Sequence, residues 1–117
     1  MFGVKGLAVY QKAYECVLYV YKETEKLPKS EIYGLSSQIR RAAVSVVANM
    51  SEGYAKREQS AVEYKRFLLI SKGSANEIIT LASVCSDVGY MPPNFKEEIE
   101  KRYTEINNML FGIINKL

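Results

Sequence analysis

The chain has 117 residues with 48% apolar and 25% charged residues and a formal charge of +3, the proportions of one soluble globular domain over 1–117. It has nine Tyr, four Phe, no Trp and no His, so histidine acid–base chemistry and histidine metal sites are excluded. Cys16 and Cys85 are too few for a disulfide framework or a thiolate cluster and read as reduced core residues.

Residues 1–5 read as a short arm. The first helix is expected over about 6–26, with Leu7, Tyr10, Tyr14, Val17, Leu18 and Tyr21 as its apolar stripe. A second line, Val9, Ala13, Cys16 and Val20, widens that face. Leu27-Pro28 ends the helix, because a residue before proline is biased away from helical backbone.

Ser30 is a plausible N-cap for a second helix over about 31–55, with Glu31 placed to favour its positive end. Leu35, Ile39, Ala42, Val46, Met50 and Gly53 share one face of that helix. Along its shoulder runs a polar ladder of Gln38, Arg41, Ser45, Asn49 and Glu52. On the far side, Val44, Val47 and Ala48 lie beside Arg40 and Ser51. A helix apolar on two sides is expected to be covered twice, by its own bundle and by another copy, so Val44, Val47 and Ala48 are the candidate oligomer interface. Tyr19 and Phe111 are candidates to extend it.

Ser60 followed by Glu63 is a capping-box pattern opening a third helix over about 60–88, which Gly89 can close in a left-handed conformation. Gly73, Ser71, Ser74 and Ala75 predict close approach of a neighbouring helix. After Pro92-Pro93, Asn94 with Glu97 marks a fourth helix over about 94–116. Short connections and no alternating strand pattern give an all-α, antiparallel up-down-up-down four-helix bundle.

Candidate chemistry is sparse. The serines have no histidine to activate them, and Lys72–Glu77 (KGSANE) lacks the glycine spacing of a phosphate loop. No catalytic residue, metal ligand set or cofactor is assigned, and no small-molecule substrate is expected. The ladder, with Glu77 of the third helix, reads as a structural polar network in which Arg41 and Glu77 form a buried pair. The competing reading is a ligand site, which requires a roomy pocket beside the ladder. Arg40, Lys56, Arg57, Lys65 and Arg66 are the candidate phosphate contacts for RNA or DNA, set against a merely solvated charged turn. Tyr54 is placed either to stack on a base or to join the core. The start of the sequence does not read as a signal peptide, and no uncharged run approaches the ~20 residues of a membrane span, so a cytoplasmic location is expected.

One resemblance is specific. Tyr33-Gly34-Leu35, the run from Ser37 to Ser45 (SQIRRAAVS), Ala48-Asn49, Ser51-Glu52-Gly53 and Gly73-Ser74-Ala75-Asn76-Glu77 resemble the 23S ribosomal RNA intervening-sequence proteins. The likeness extends from Leu7 through Tyr90. It implies a four-helix bundle that assembles as a ring-like homopentamer with a central opening, encoded in many cases within intervening sequences of 23S rRNA genes. It also implies kinship to the accessory variability determinants of diversity-generating retroelements, which bind nucleic acid and a reverse transcriptase. No catalytic residues carry over. The resulting expectation is a non-enzymatic binding or scaffold module for RNA or DNA. Its alternative is a protein–protein adaptor indifferent to nucleic acid.

Overall fold

The computed structural model describes residues 3–117, so Met1 and Phe2 of the expected arm lie outside the described residues. Four α-helices account for most of the chain: α1 Ala8–Glu23, α2 Leu35–Lys56, α3 Ala61–Asp87 and α4 Pro93–Ile114. Among the described residues there is no strand, so the fold is all-α. The rest of the arm, Gly3–Gly6, is a short 3-10 helix packed against α1 and α2.

The helix ends show which local signals decide. Ser60 caps α3 as expected: its Oγ accepts a hydrogen bond from the Glu63 amide at 3.1 Å. Gly89, with φ +89°, closes α3 in a Schellman arrangement. The Tyr90 amide donates to the Cys85 carbonyl at 3.0 Å, and the Gly89 amide donates to that of Ser86 at 3.1 Å.

Two expected caps are wrong. Ser30 lies in a 3-10 turn, Lys29–Glu31, and α2 starts only at Leu35. Its first amide is satisfied by the Glu31 carboxylate, which accepts from Leu35 N–H at 3.2 Å. Asn94 is already the second residue of α4, because Pro93 begins the helix, where a missing N–H costs nothing. The first helix is also shorter than expected, its last turn tightening into a 3-10 segment at Thr24–Lys26.

The core lies where the four apolar stripes meet. Ile39, Val46 and Met50 of α2 enclose it with Leu68, Ala75 and Ile78 of α3 and Phe95, Ile99, Tyr103 and Ile106 of α4. On α1 the line that turns inward is Val9, Ala13, Cys16 and Val20; Tyr14, Leu18 and Tyr21 of the larger stripe are exposed. Tyr10 and Val17 of that stripe are partly buried against the edge of the core.

α2 and α3 form the most extensive contact, followed by α3 with α4; α1 leans on α2 and, least closely, on α4. The expected close approach is seen at Ser71, Ser74 and Ala75. The enclosed Ser71 hydroxyl donates to the Val46 carbonyl at 2.8 Å, and Ser74 shares a 2.8 Å hydrogen bond with Ser45. It is not seen at Gly73, where a Cβ would meet nothing within 4 Å. Close approach of α2 and α3 is seen instead at Gly53, whose Cβ would stand 2.8 Å from Phe67 Cβ. The molecule is elongated, 45 × 23 × 22 Å, and no described helix is long and apolar enough to cross a membrane.

Candidate nucleic-acid interface

The five candidate phosphate contacts do not form one free cluster. Arg40 belongs to the bundle. Its Nε donates to Thr24 Oγ1 at 2.9 Å, its Nη2 to the Tyr21 carbonyl at 3.2 Å, and its guanidinium lies 4.8 Å from the Tyr21 ring centre. It therefore satisfies the carbonyl end of α1, which is where a cation is favoured by the helix dipole.

Arg57 folds back over Tyr54, 3.7 Å from the ring centre, while its Nη1 donates to the Tyr54 carbonyl at 2.8 Å. The same tyrosine meets Tyr64 in an edge-type contact, ring centres 6.3 Å apart and planes at 87°. Of the two placements expected for Tyr54, the structure has the ring half-buried against the core with Arg57 over one face. Arg66 makes a double hydrogen bond to Glu63, both 3.1 Å, and lies over Phe67. The guanidinium holds the Glu63 carboxyl below its ordinary value.

Lys56 and Lys65 are exposed and have no carboxylate within ion-pair distance among the described residues. Two lysines outside the expected set share that property. Lys116 borders a groove together with Leu7, Ala8 and Val9, and Lys5 sits in the arm packed on α1 and α2. Both are as free of carboxylates as Lys56.

The polar ladder keeps its alignment but not its burial. Gln38, Arg41, Glu52 and Glu77 are exposed. Arg41 and Glu77 form no ion pair, so the buried pair is corrected: both instead line an open crease of about 390 Å³ with Gln38, Ala42 and Ser45. Only Ser45, Asn49 and Ser74 are joined, through Asn49 Nδ2 donating to the Ser45 carbonyl and hydroxyl at 2.9 and 3.0 Å. The pocket required by the ligand reading is thus present as a surface cleft. Among the described residues, Arg41 alone of the five arginines has neither a hydrogen-bonded partner nor a ring beneath it.

Val44 and Ala48 are exposed on the outside of α2, and Val47 is half-buried and packs partly on the core. Tyr19 is not an outer residue; it stacks on Phe95 and lies under Arg102. Phe111 is outward-facing as expected, 54% exposed. Among the described residues no group of three or more acidic or cysteine side chains is arranged to hold a metal.

Over residues 5–112 the chain matches the model of the 23S rRNA-intervening sequence proteins. It belongs to that family. The match spans α1, α2, α3 and nearly all of α4 together with the last residues of the arm, in agreement with the resemblance carried by the Ser37–Ser45 run. A crystal structure of a protein of unknown function from the S23 ribosomal protein family of Bacteroides thetaiotaomicron VPI-5482 is similar, with 27% identity and a TM-score of 0.78. The similarity covers 92% of this chain and 98% of that one. Among curated proteins the chain finds no match. In this intervening-sequence family member, then, the features available for binding include lysines without ion-pair partners, a polar crease and several exposed apolar side chains.

Proposed function

We propose that this family member is a non-enzymatic, cytoplasmic homo-oligomer that holds RNA or DNA through its lysine-rich end. The observation that carries the reading is the set of unpaired cations Lys56 and Lys65, joined by Lys5 and Lys116. The α2–α3 turn brings the end of α2 beside the start of α3. Lys72 over Phe111 brings the end of α4 alongside the same half of α3. Contacts of Ser45 with Ser74, Gly53 with Phe67, Asn76 with Asn107 and Asp87 with Lys96 fit helices running up-down-up-down. In that arrangement all four lysines share one end, while at the other Glu23, Glu25, Glu31 and Asp87 stand among Lys22, Lys26, Lys29 and Lys96, with Lys26 paired to Glu23 and Lys96 to Asp87.

Assembly is supported by two separate sets of exposed apolar side chains. Tyr14, Leu18, Tyr21 and Val44 belong to α1 and α2, whereas Leu69, Ile70 and Val84 belong to α3. Two unlike patches on one subunit suit head-to-tail contacts, which close into a ring. A pentamer is the ring that the family resemblance implies, and a ring would gather every basic end on one rim.

Native mass and the 260/280 nm absorbance ratio of the purified particle test both halves of the reading. Expected are a multiple of the 13.3 kDa subunit and nucleic acid retained at low salt and lost as salt rises. A 13.3 kDa particle overturns the assembly. No retention of ribosomal or other nucleic acid, with a co-purifying polypeptide instead, replaces the function with a protein–protein adaptor.

A further inference from the structure

Arg41 and Glu77 line the crease between α2 and α3 from its two sides. Both are exposed, and neither has an ion-pair partner among the described residues. The apolar side chains bordering them are exposed as well. Val44 stands one turn from Arg41 on α2, and Ile70 and Val84 stand two turns to either side of Glu77 on α3. A phosphate is opposed here by the Glu77 carboxylate, and a purely apolar guest by both charges. Ile70 and Val84 are about 21 Å apart along their helix, the length of a helical segment and not of a small molecule. The crease therefore suits a helix that is apolar on one side and carries a charge of each sign.

This chain has such a helix in α1. Tyr14, Leu18 and Tyr21, all exposed, recur at steps of four and three along its outer side. Lys22 and Glu25 follow at the end of that row, one turn apart, exposed and without ion-pair partners among the described residues. Their height on the bundle matches that of the crease. Arg40 reaches the Tyr21 carbonyl at 3.2 Å and the Thr24 hydroxyl at 2.9 Å, so the turn holding Arg41 lies level with the turn holding Lys22 and Glu25. Copies standing side by side about an axis along the bundle keep that level. We propose that the outer side of α1 of a second copy lies in the α2–α3 crease, with Arg41 taking the partner's Glu25 and Glu77 taking the partner's Lys22. This rests on the assembly proposed above and names its two mating faces. Such pairs are weak in open water, but here apolar side chains on both surfaces exclude water around them. Because the two faces are unlike, every contact leaves one of each free for the next copy, as a ring requires.

Sedimentation of the purified protein over a concentration series tests this by charge reversal. The wild type is expected as a multiple of 13.3 kDa. Arg41→Glu sets like charges against each other and is expected to raise the concentration of half-assembly about tenfold or more, and Glu25→Arg does the same. Arg41→Glu combined with Glu25→Arg restores opposite charges and is expected to recover the wild-type mass at wild-type concentrations. Glu77→Lys and Lys22→Glu, singly and together, give the same pattern through the second pair. All four positions are exposed, so every variant keeps the wild-type helix content by circular dichroism. A wild type that assembles while Arg41→Glu and Glu77→Lys assemble equally well overturns this docking and spares the assembly. Single variants that come apart and are not rescued by their double variants do the same. A 13.3 kDa wild type at every concentration overturns both.

Discussion

Tyr103 is completely enclosed, and its hydroxyl has no hydrogen-bond partner. Burial, reinforced by the Cys16 thiol, pushes its pKa far above the ordinary tyrosine value. The folded state therefore holds the phenol neutral, whereas in the unfolded chain it ionises near pH 10. The sign follows: stability is intact below about pH 10 and falls as pH rises beyond it, because the unfolded chain then gives up a proton that the folded one retains. Tyr103→Phe removes the orphaned hydroxyl and should leave the neutral-pH melting temperature unchanged or raised. Its alkaline decline should be shallower but not abolished, since burial also raises Tyr19 and Tyr64. Melts at neutral and alkaline pH check both statements. Two glycines separate packing from propensity in the same way. Gly53→Ala would press a methyl against Phe67 and the Tyr64 carbonyl and should cost roughly 1–3 kcal/mol. Gly73→Ala meets nothing and should gain up to about 1 kcal/mol of helix propensity in a denaturant titration.

At the scale of elements, what is legible depends on how far apart the partners are in sequence. Ser60 with Glu63 and Gly89 with Ser86 are local arrangements and could be read directly. Ser30 and Asn94 failed because a competing local device stood a few residues away: Glu31 reaching forward to Leu35, and Pro93 starting its helix early. The part played by Arg40 was illegible, since its partners Tyr21 and Thr24 lie 19 and 16 residues back. Arg40→Ala should lower stability by about 1–3 kcal/mol, the scale of losing charged hydrogen bonds to a partly buried helix end. Nucleic-acid affinity should not change, which a melt and a binding titration of the same variant would show together. The ladder teaches a related point. Its spacing correctly aligned Gln38, Arg41, Ser45, Asn49 and Glu52, but spacing alone does not say whether the strip lies under or beside the neighbouring helix. Because Glu77 is exposed and unpaired, Glu77→Gln should leave the melting temperature of the subunit unchanged, the reverse of what a buried pair with Arg41 requires.

For the whole molecule, the packing is unequal around the bundle. α2 and α3 are locked at Gly53, Ser71 and Ser74, whereas α1 meets α4 across a seam lined by long charged side chains. That seam is bridged on its surface by Lys12 and Glu105, 3.4 Å apart and both well exposed, a pairing worth little in water. Cys16 sits beneath it beside Arg102, and Cys85 is sealed in α3. Burial raises both thiols, so at neutral pH they stay protonated in the folded protein. The consequence concerns how the molecule breathes. α1 is the stave of the barrel held by the fewest hoops, and thermal opening should begin there. Under native conditions its amide protons, and the thiol labelling of Cys16, should exchange through a partial opening of lower free energy than the global one. α2 and α3, with Cys85, should yield only when the whole structure comes apart.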